Sequence, residues 1–101
     1  MSTFVISYMI KSDSTYASRY SSLVEQIREC SSKWEETTSF AVVSTAETLT
    51  ALADRLYYKS LIISEKDILL VLDPNTGDAV IRGPVQYPNT LKSMLPKLAQ
   101  K

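Results

Sequence analysis

The stretch TFVISYMI, residues 3–10, decides the fold of this chain. It is an unbroken apolar run rich in β-branched and aromatic residues, which is typical of a central β-strand and too short for a buried helix. Alternation along such a strand places two sets of side chains on opposite faces, Phe4, Ile6, Tyr8 and Ile10 on one and Val5, Ser7 and Met9 on the other. Because neither face is wholly polar, we expect a partner to cover the face that the chain itself leaves open.

The end of this strand is the first place to look for function. Tyr8-Met9-Ile10 is followed by the polar residues Lys11-Ser12-Asp13, and loops that leave the end of a central strand often carry functional groups. The group that this position offers is the thioether of Met9, with Tyr8 and Asp13 adjacent. A thioether alone predicts no reaction.

Composition indicates one globular domain and excludes several classes of chemistry. Of the 101 residues, 45% are hydrophobic and 22% are charged, which is ordinary for a folded domain. The net charge is zero, so the chain lacks the basic excess that tight nonspecific nucleic-acid binding leaves. The chain contains no histidine, which rules out histidine acid–base catalysis, Ser-His or Cys-His triads and imidazole metal ligands.

The compartment predicted by the sequence is the cytoplasm. Cys30 is the only cysteine and cannot form an internal disulfide, which fits a reducing environment. We find neither a signal-peptide pattern nor an apolar run of membrane-spanning length, so no membrane association is expected.

The first half of the chain predicts one helix and two short strands. Residues 13–15 offer a helix cap, and an apolar stripe then recurs every three or four residues up to a stop at 31–32: Tyr16, Tyr20, Leu23, Val24, Ile27 and Cys30. Two short strands are predicted at residues 34–37 and 40–44. Ser44 and Glu47 match a capping box, which predicts the start of a second helix.

The second half predicts a hairpin and an amphipathic tail. The second helix carries the stripe Leu49, Leu52, Ala53 and Leu56. Residues 61–67 read either as a docking segment or as an edge strand. Strands at 68–72 and 79–82 flank a turn rich in Pro, Asn and Gly. A helical stripe is predicted after Asn89, through Leu91, Met94, Leu95 and Leu98, with a kink at Pro96.

The predicted order of elements is β-α-β-β-α-β with one extra hairpin strand. This order is typical of an α+β, ferredoxin-like domain, an antiparallel sheet with both helices on one face. We predict a single domain over residues 1–101, with a core at 3–83 and a C-terminal tail at 84–101.

The polar groups of the sequence are explained more simply by structure than by catalysis. Asp73 and Asp78 fit turn chemistry, Glu35-Glu36 fits a solvated strand end, and Cys30 fits a buried thiol. The tyrosines Tyr16 and Tyr20 fit core packing. The basic residues offered as a phosphate-facing patch are Lys11, Arg19, Arg55 and Lys59. No catalytic residue, metal ligand or cofactor is predicted.

Three segments together resemble a known superfamily. Residues 4–8, the strand 40–44 before a capped helix, and the segment 67–72 are similar to the SinR-like proteins, which look related to the small dimeric CRISPR adaptation subunit and to the VapD toxin ribonucleases. The resemblance spans roughly residues 3–83 and rests on the pattern and order of strands. It implies a ferredoxin-like homodimer, formed by joining sheets or by swapping C-terminal strands, with an ancestral link to nucleic acid.

The resemblance also implies a site that this sequence does not complete. In the related nucleases the first strand ends Tyr-Asp, and the aspartates of two subunits hold a divalent metal. Here Tyr8 is followed by Met9, whose sulfur is a poor ligand for magnesium. We therefore expect a catalytically inactive homodimer with a structural or nucleic-acid-associated binding role, its partner being a nucleic acid or a protein. Two other hypotheses are an active magnesium-dependent endoribonuclease using Asp13 and a regulatory dimer that binds a small ligand.

Overall fold

The first strand lies inside a single six-stranded sheet. A computed structural model describes residues 1–101, which form nine elements: β1 (Ser2–Met9), α1 (Tyr16–Ile27), β2 (Ser32–Trp34), β3 (Phe40–Thr45), α2 (Leu49–Tyr58), β4 (Ile68–Leu72), β5 (Ala79–Arg82), α3 (Pro88–Met94) and β6 (Leu98–Gln100). The strands lie in the order β2-β3-β1-β4-β5-β6. All neighbouring strands are antiparallel except β5 and β6, which are parallel.

The predicted α+β class is confirmed, and the sheet differs from a simple ferredoxin fold. It has six strands and is mixed, because the tail adds a parallel strand beside the hairpin strand. The hairpin between β4 and β5 forms as predicted, with Gly77 in the left-handed region at φ 83°. Only a residue without a side chain adopts this conformation at no steric cost.

Alternation on the central strands produces the core. The face of the sheet that carries Ile6, Val43 and Val71 is covered by α1 and α2, whose Leu23 and Leu52 are fully buried against it. Both helices therefore lie on one face. The helix α3 lies on the other, because its Leu91 packs against the cluster formed by the outer strands.

Three local predictions are wrong. The second strand is at Ser32–Trp34 and not at 34–37, because Glu35 leaves the sheet to pair with Arg28 at 2.8 Å. The capping box does not start α2, because Ser44 is still in the strand ladder and Thr48 caps the helix by accepting from the amide of Ala51.

The tail is the third difference. The predicted stripe through Leu98 is broken after α3, which ends at Met94, and Leu98 begins β6 instead. Pro96 supplies no amide hydrogen, so the helix ends near it, and the free edge of β5 then offers backbone partners. Residues 61–67, which the sequence predicts as either a docking segment or an edge strand, form no strand.

Candidate functional site

The position predicted from the end of β1 is occupied by a network of charged side chains. We call the side chains of Asp13, Arg19, Lys66 and Asp67, together with the backbone of Lys11, the β1-end cluster. It joins the loop after β1, the first turns of α1 and the segment before β4. Three segments far apart in the sequence are therefore held together at one point.

Asp67 is the centre of this cluster. Its side chain is completely buried and accepts a hydrogen bond from Arg19 Nη1, and it also accepts from the backbone amides of Lys11 at 3.0 Å and Ile63 at 2.9 Å. Every buried carboxylate needs such partners, because an unpaired charge is very costly away from water. Because its side chain is buried and its three donors belong to the protein, this carboxylate does not face solvent.

Asp13 is satisfied in a similar way. Its Oδ1 accepts from Arg19 Nη2 at 2.6 Å and from the amide of Thr15 at 2.9 Å, while its Oδ2 accepts from Lys66 Nζ at 2.9 Å. Both oxygens are thus engaged within the chain. This residue acts as the link between the buried Arg19 and the partly exposed Lys66.

The charges of the cluster stabilise one another. Hydrogen bonds from Lys66 and Arg19 hold the pKa of Asp13 well below its usual range. Burial alone would raise the pKa of Asp67, but the hydrogen bonds from Arg19 and from two backbone amides outweigh burial and lower it. The hydrogen bond to Asp67 raises the pKa of Arg19. All three groups are therefore ionised at neutral pH, and the cluster is an internal ion network.

Met9 and Tyr8 lie on opposite faces of the sheet. The Met9 side chain is 54% exposed on the face away from α1 and α2. The Tyr8 side chain is buried on the helix-covered face, with its ring 5.7 Å from that of Tyr20, and burial raises its pKa. Core packing was predicted for Tyr16 and Tyr20: it is confirmed for Tyr20, whereas Tyr16 is 38% exposed at the end of the stack.

The residues at this position do not fit a magnesium ion. The ion that the resemblance implies needs several converging oxygen ligands, but Met9 offers sulfur and both oxygens of Asp13 are engaged. No group of three or more acidic or cysteine side chains in the chain is arranged to hold a metal.

Two of the four basic residues predicted to face phosphate are engaged in internal ion pairs. Arg19 is only 2% exposed within the β1-end cluster. Arg55 donates to both oxygens of Glu47 at 2.9 Å and approaches Cys30 Sγ at 3.4 Å, and this pairing raises its pKa. Lys11 and Lys59 are exposed. The patch predicted from the sequence is thereby reduced to two free lysines.

A further arginine, Arg82, is buried between β5 and α2. Its guanidinium carbon lies 4.4 Å from the ring centre of Tyr57 and 5.0 Å from that of Tyr58, and its Nη2 donates to Asp54 at 2.7 Å. Its Nε has no hydrogen-bond partner. The two tyrosine rings partly offset the cost of burying this unpaired Nε, because a cation is attracted to the face of an aromatic ring.

The second notable surface is the side of the sheet away from α1 and α2. We call its exposed half, on β1, β2 and β3, the uncovered patch, made of Val5, Met9, Trp34, Phe40 and Val42. Trp34 is 43% exposed and packs edge-to-face on Phe40 at 6.5 Å between ring centres. No charged side chain of these three strands lies on this face, because the positions between the apolar ones are serine or threonine.

The other half of the same side is covered by the chain itself. Leu91 and Leu95 of the α3 region pack against the buried cluster of Ala79, Ile81 and Leu98 on the outer strands. The helix α3 therefore stands beside the uncovered patch and not on it. Sequence reasoning identified both faces of β1 as partly apolar, but it could not tell which half the tail would cover.

A cleft of about 310 Å³ lies between the start of α2 and the strands β5 and β6. Its charged lining residues are Asp78 and Lys97, of opposite sign, and Lys97 Nζ already donates to the carbonyl of Thr76 at 3.1 Å. This balance gives the cleft no preference for a charged ligand.

Comparison of the chain with protein-family models, with curated proteins and with solved structures finds no match. The resemblance drawn from the strand pattern therefore stays a prediction. None of the three helices has the length and apolar character needed to cross a membrane.

Proposed function

We propose that this protein is a homodimeric binding component with a ferredoxin-like core, and that two copies associate through the uncovered patch. The strand order β2-β3-β1-β4 with antiparallel neighbours, and α1 and α2 on one face, support such a core. In this view β5 and β6 extend the core at one edge. The role is structural or binding, without metal-dependent hydrolysis.

The observation that carries the proposal is the uncovered patch itself. Contiguous apolar side chains on a sheet face are stabilised when they are removed from water, by about 25 cal/mol for each Å² of apolar surface. Patches of this kind on small domains often mark interaction sites. The patch combines Trp34, Phe40 and Met9, and aromatic residues and methionine are enriched at protein interfaces.

A second copy of the chain suits this patch better than a charged partner. None of the five residues of the patch is charged, and the carboxylate of Glu36 beside it accepts a hydrogen bond from Trp34 Nε1 within the same chain. The net charge of the whole chain is zero, so long-range repulsion between copies is also small.

The absence of hydrolysis rests on the β1-end cluster. Its carboxylates are engaged with Arg19 and Lys66 and so are not free to bind a cation or to activate water. Lys11 and Lys59 remain exposed and are the two predicted basic residues available to a nucleic acid partner.

The homodimer is tested by measuring molar mass by light scattering during size-exclusion chromatography. The native chain is expected to elute with twice its monomer mass of 11.3 kDa. Val42→Asp places a charge in the patch and is expected to give a monomer with unchanged circular dichroism. Ala51→Asp, on the exposed side of α2, is the matched control and should stay dimeric. A native chain with monomer mass at all concentrations rules out the proposal.

The lack of hydrolysis is tested by incubation with RNA and magnesium. We expect the native protein and Asp13→Ala to leave RNA intact alike. Cleavage by the native protein that disappears in Asp13→Ala would establish the metal-dependent ribonuclease instead.

A further inference from the structure

We infer that, in the homodimer, the helix α3 of each copy packs onto the uncovered patch of the other, with Tyr87 and Met94 entering the contact. This inference rests on the proposed function and identifies α3 as the element that packs onto the patch. It is an interaction between two copies of this chain.

The first support is the unfinished burial of α3. Leu91 and Met94 lie three residues apart on one side of α3, and with Tyr87 and Leu95, which flank the two ends of the helix, they form an apolar stripe. Leu91 and Leu95 pack against the sheet of their own chain. Tyr87 and Met94 at the two ends of the same stripe are 65% and 67% exposed. Half of the apolar stripe therefore has no partner within the protomer.

The second support is the weakness of α3 as an isolated element. It has seven residues, no side-chain cap at its start and no buried residue. Helices this short are not stable in water on their own and depend on tertiary contacts. Two half-buried leucines provide few such contacts, and a second surface against Tyr87 and Met94 would add to them.

The third support is the shape of this side of the molecule. An α-helix with its side chains is about 10 to 12 Å across, so α3 stands above the sheet as a ridge beside the flat patch. If the two patches met directly, each ridge would lie outside the contact and Tyr87 and Met94 would stay exposed. A two-fold axis between the patch and the ridge instead places each ridge on the patch of the other copy.

The dimensions agree with this arrangement. Three adjacent strands are about 14 Å wide, which is wide enough to receive one helix. A two-fold axis makes the same ridge-to-patch contact twice. The patch alone, roughly 14 by 20 Å from strand spacing and rise, falls well below the roughly 800 Å² that each partner of a stable complex commonly buries. Using the patch and the ridge together brings the buried surface closer to that size.

The chemistry of the two surfaces also matches. Met94 has a flexible side chain that adapts to an uneven apolar surface, and Trp34 and Phe40 present such a surface in the patch. The only charged residue of α3 is Lys92, whose Nζ donates to the carbonyl of Leu98 at 2.8 Å in its own chain. Beside the patch, the carboxylate of Glu36 accepts from Trp34 Nε1, so the charged group at each surface is hydrogen-bonded within its own chain.

The test uses disulfide formation between two different chains, both carrying Cys30→Ala so that the introduced cysteine is the only thiol. One chain carries Met94→Cys and the other, which bears a size tag, carries Val42→Cys. On mild oxidation of the mixture we expect a heterodimer band on a non-reducing gel. Each chain oxidised alone should give far less dimer, and Met94→Cys mixed with Ala51→Cys is the control pair.

The outcomes separate this inference from the proposed function. If Val42→Cys links to itself more readily than to Met94→Cys, the sheets meet directly and the inference is wrong although the dimer stands. If light scattering shows a dimer and neither mixture cross-links, the inference is also wrong. If the native chain is a monomer, the proposed function itself is wrong.

A second measurement does not depend on cross-linking. Met94 is exposed, so Met94→Asp should not affect folding, and we expect it to weaken the dimer at least tenfold in dissociation constant. Ser93→Asp lies on the opposite side of α3 and should leave the dimer unchanged. Equal dissociation constants for Met94→Asp and the native chain overturn the inference.

Discussion

The carboxylate of Asp67 and the guanidinium of Arg19 form an ion pair that is almost entirely removed from solvent, with side chains 0% and 2% exposed. The two residues are 48 positions apart in the sequence. Their contact closes the sheet against the start of α1 just beyond the end of β1, so this position contributes to stability.

Removal of Asp67 should destabilise the protein strongly. Asp67→Ala leaves Arg19 buried without its main partner, and breaking one side of a buried ion pair costs about 3 to 5 kcal/mol. The free energy of unfolding from urea titration measures this loss. Glu65→Ala, an exposed acidic neighbour, should change stability by less than about 0.5 kcal/mol. A similar small effect for both variants would show that the pair is not a stabilising element.

Stability should fall as the pH is lowered in the acidic range. The pKa values of Asp13, Asp67 and Glu47 are lowered in the folded state. A group of this kind contributes stability above its unfolded pKa, about 4, and loses it as the pH falls toward the folded pKa. We therefore expect a steep fall in melting temperature below about pH 4.

Between about pH 5.5 and 7 the melting temperature should be nearly constant, because no histidine titrates there. Asp13→Asn should make the acidic fall shallower, since one of the responsible carboxylates is removed. A strong dependence near neutral pH would mean that another group controls stability.

Gly83 should be far less tolerant of substitution than Gly77. Both have positive φ, 118° and 83°, but a Cβ added at Gly83 would collide with the carbonyl oxygen of Asp67, whereas one added at Gly77 meets nothing. Gly77→Ala should cost about 1 to 2 kcal/mol from the left-handed conformation alone. Gly83→Ala should cost clearly more, measured by the same urea titration. Equal costs would exclude the close approach of these two backbones.

Arg55 should behave as a structural residue and Lys59 as a surface residue. Arg55→Ala leaves Glu47 and Gln26 without their donor, and losses of such charged hydrogen bonds cost about 1.5 to 3 kcal/mol. Lys59→Ala should stay within about 0.5 kcal/mol of the native protein. Thermal unfolding of the two variants side by side measures the difference. If Arg55→Ala has no effect on stability, Arg55 is not a structural residue and a phosphate-facing role becomes the better explanation.

Much of the architecture could be predicted from local patterns. The strand through Ile6, the helix with Leu23 and Ile27, and the hairpin closed at Gly77 follow from alternation, helical spacing and turn chemistry, which are properties of neighbouring residues. The start of α2 was predicted too early, because Ser44 is held in the sheet by pairing with a distant strand. The end of the tail was missed for the same reason, since β6 exists only beside β5.

For the candidate sites, too, some properties follow from the local sequence and others only from the tertiary structure. The sequence by itself determined that the thioether of Met9 stands at the end of β1, that no histidine chemistry is available, and that both faces of β1 are partly apolar. Only the tertiary structure decided that Arg19 is withdrawn from solvent by Asp67, and that the tail covers one half of the sheet and leaves Val42 and Trp34 open. Composition and spacing act within a few residues, whereas burial and ion pairing depend on which distant segments the folded chain brings together.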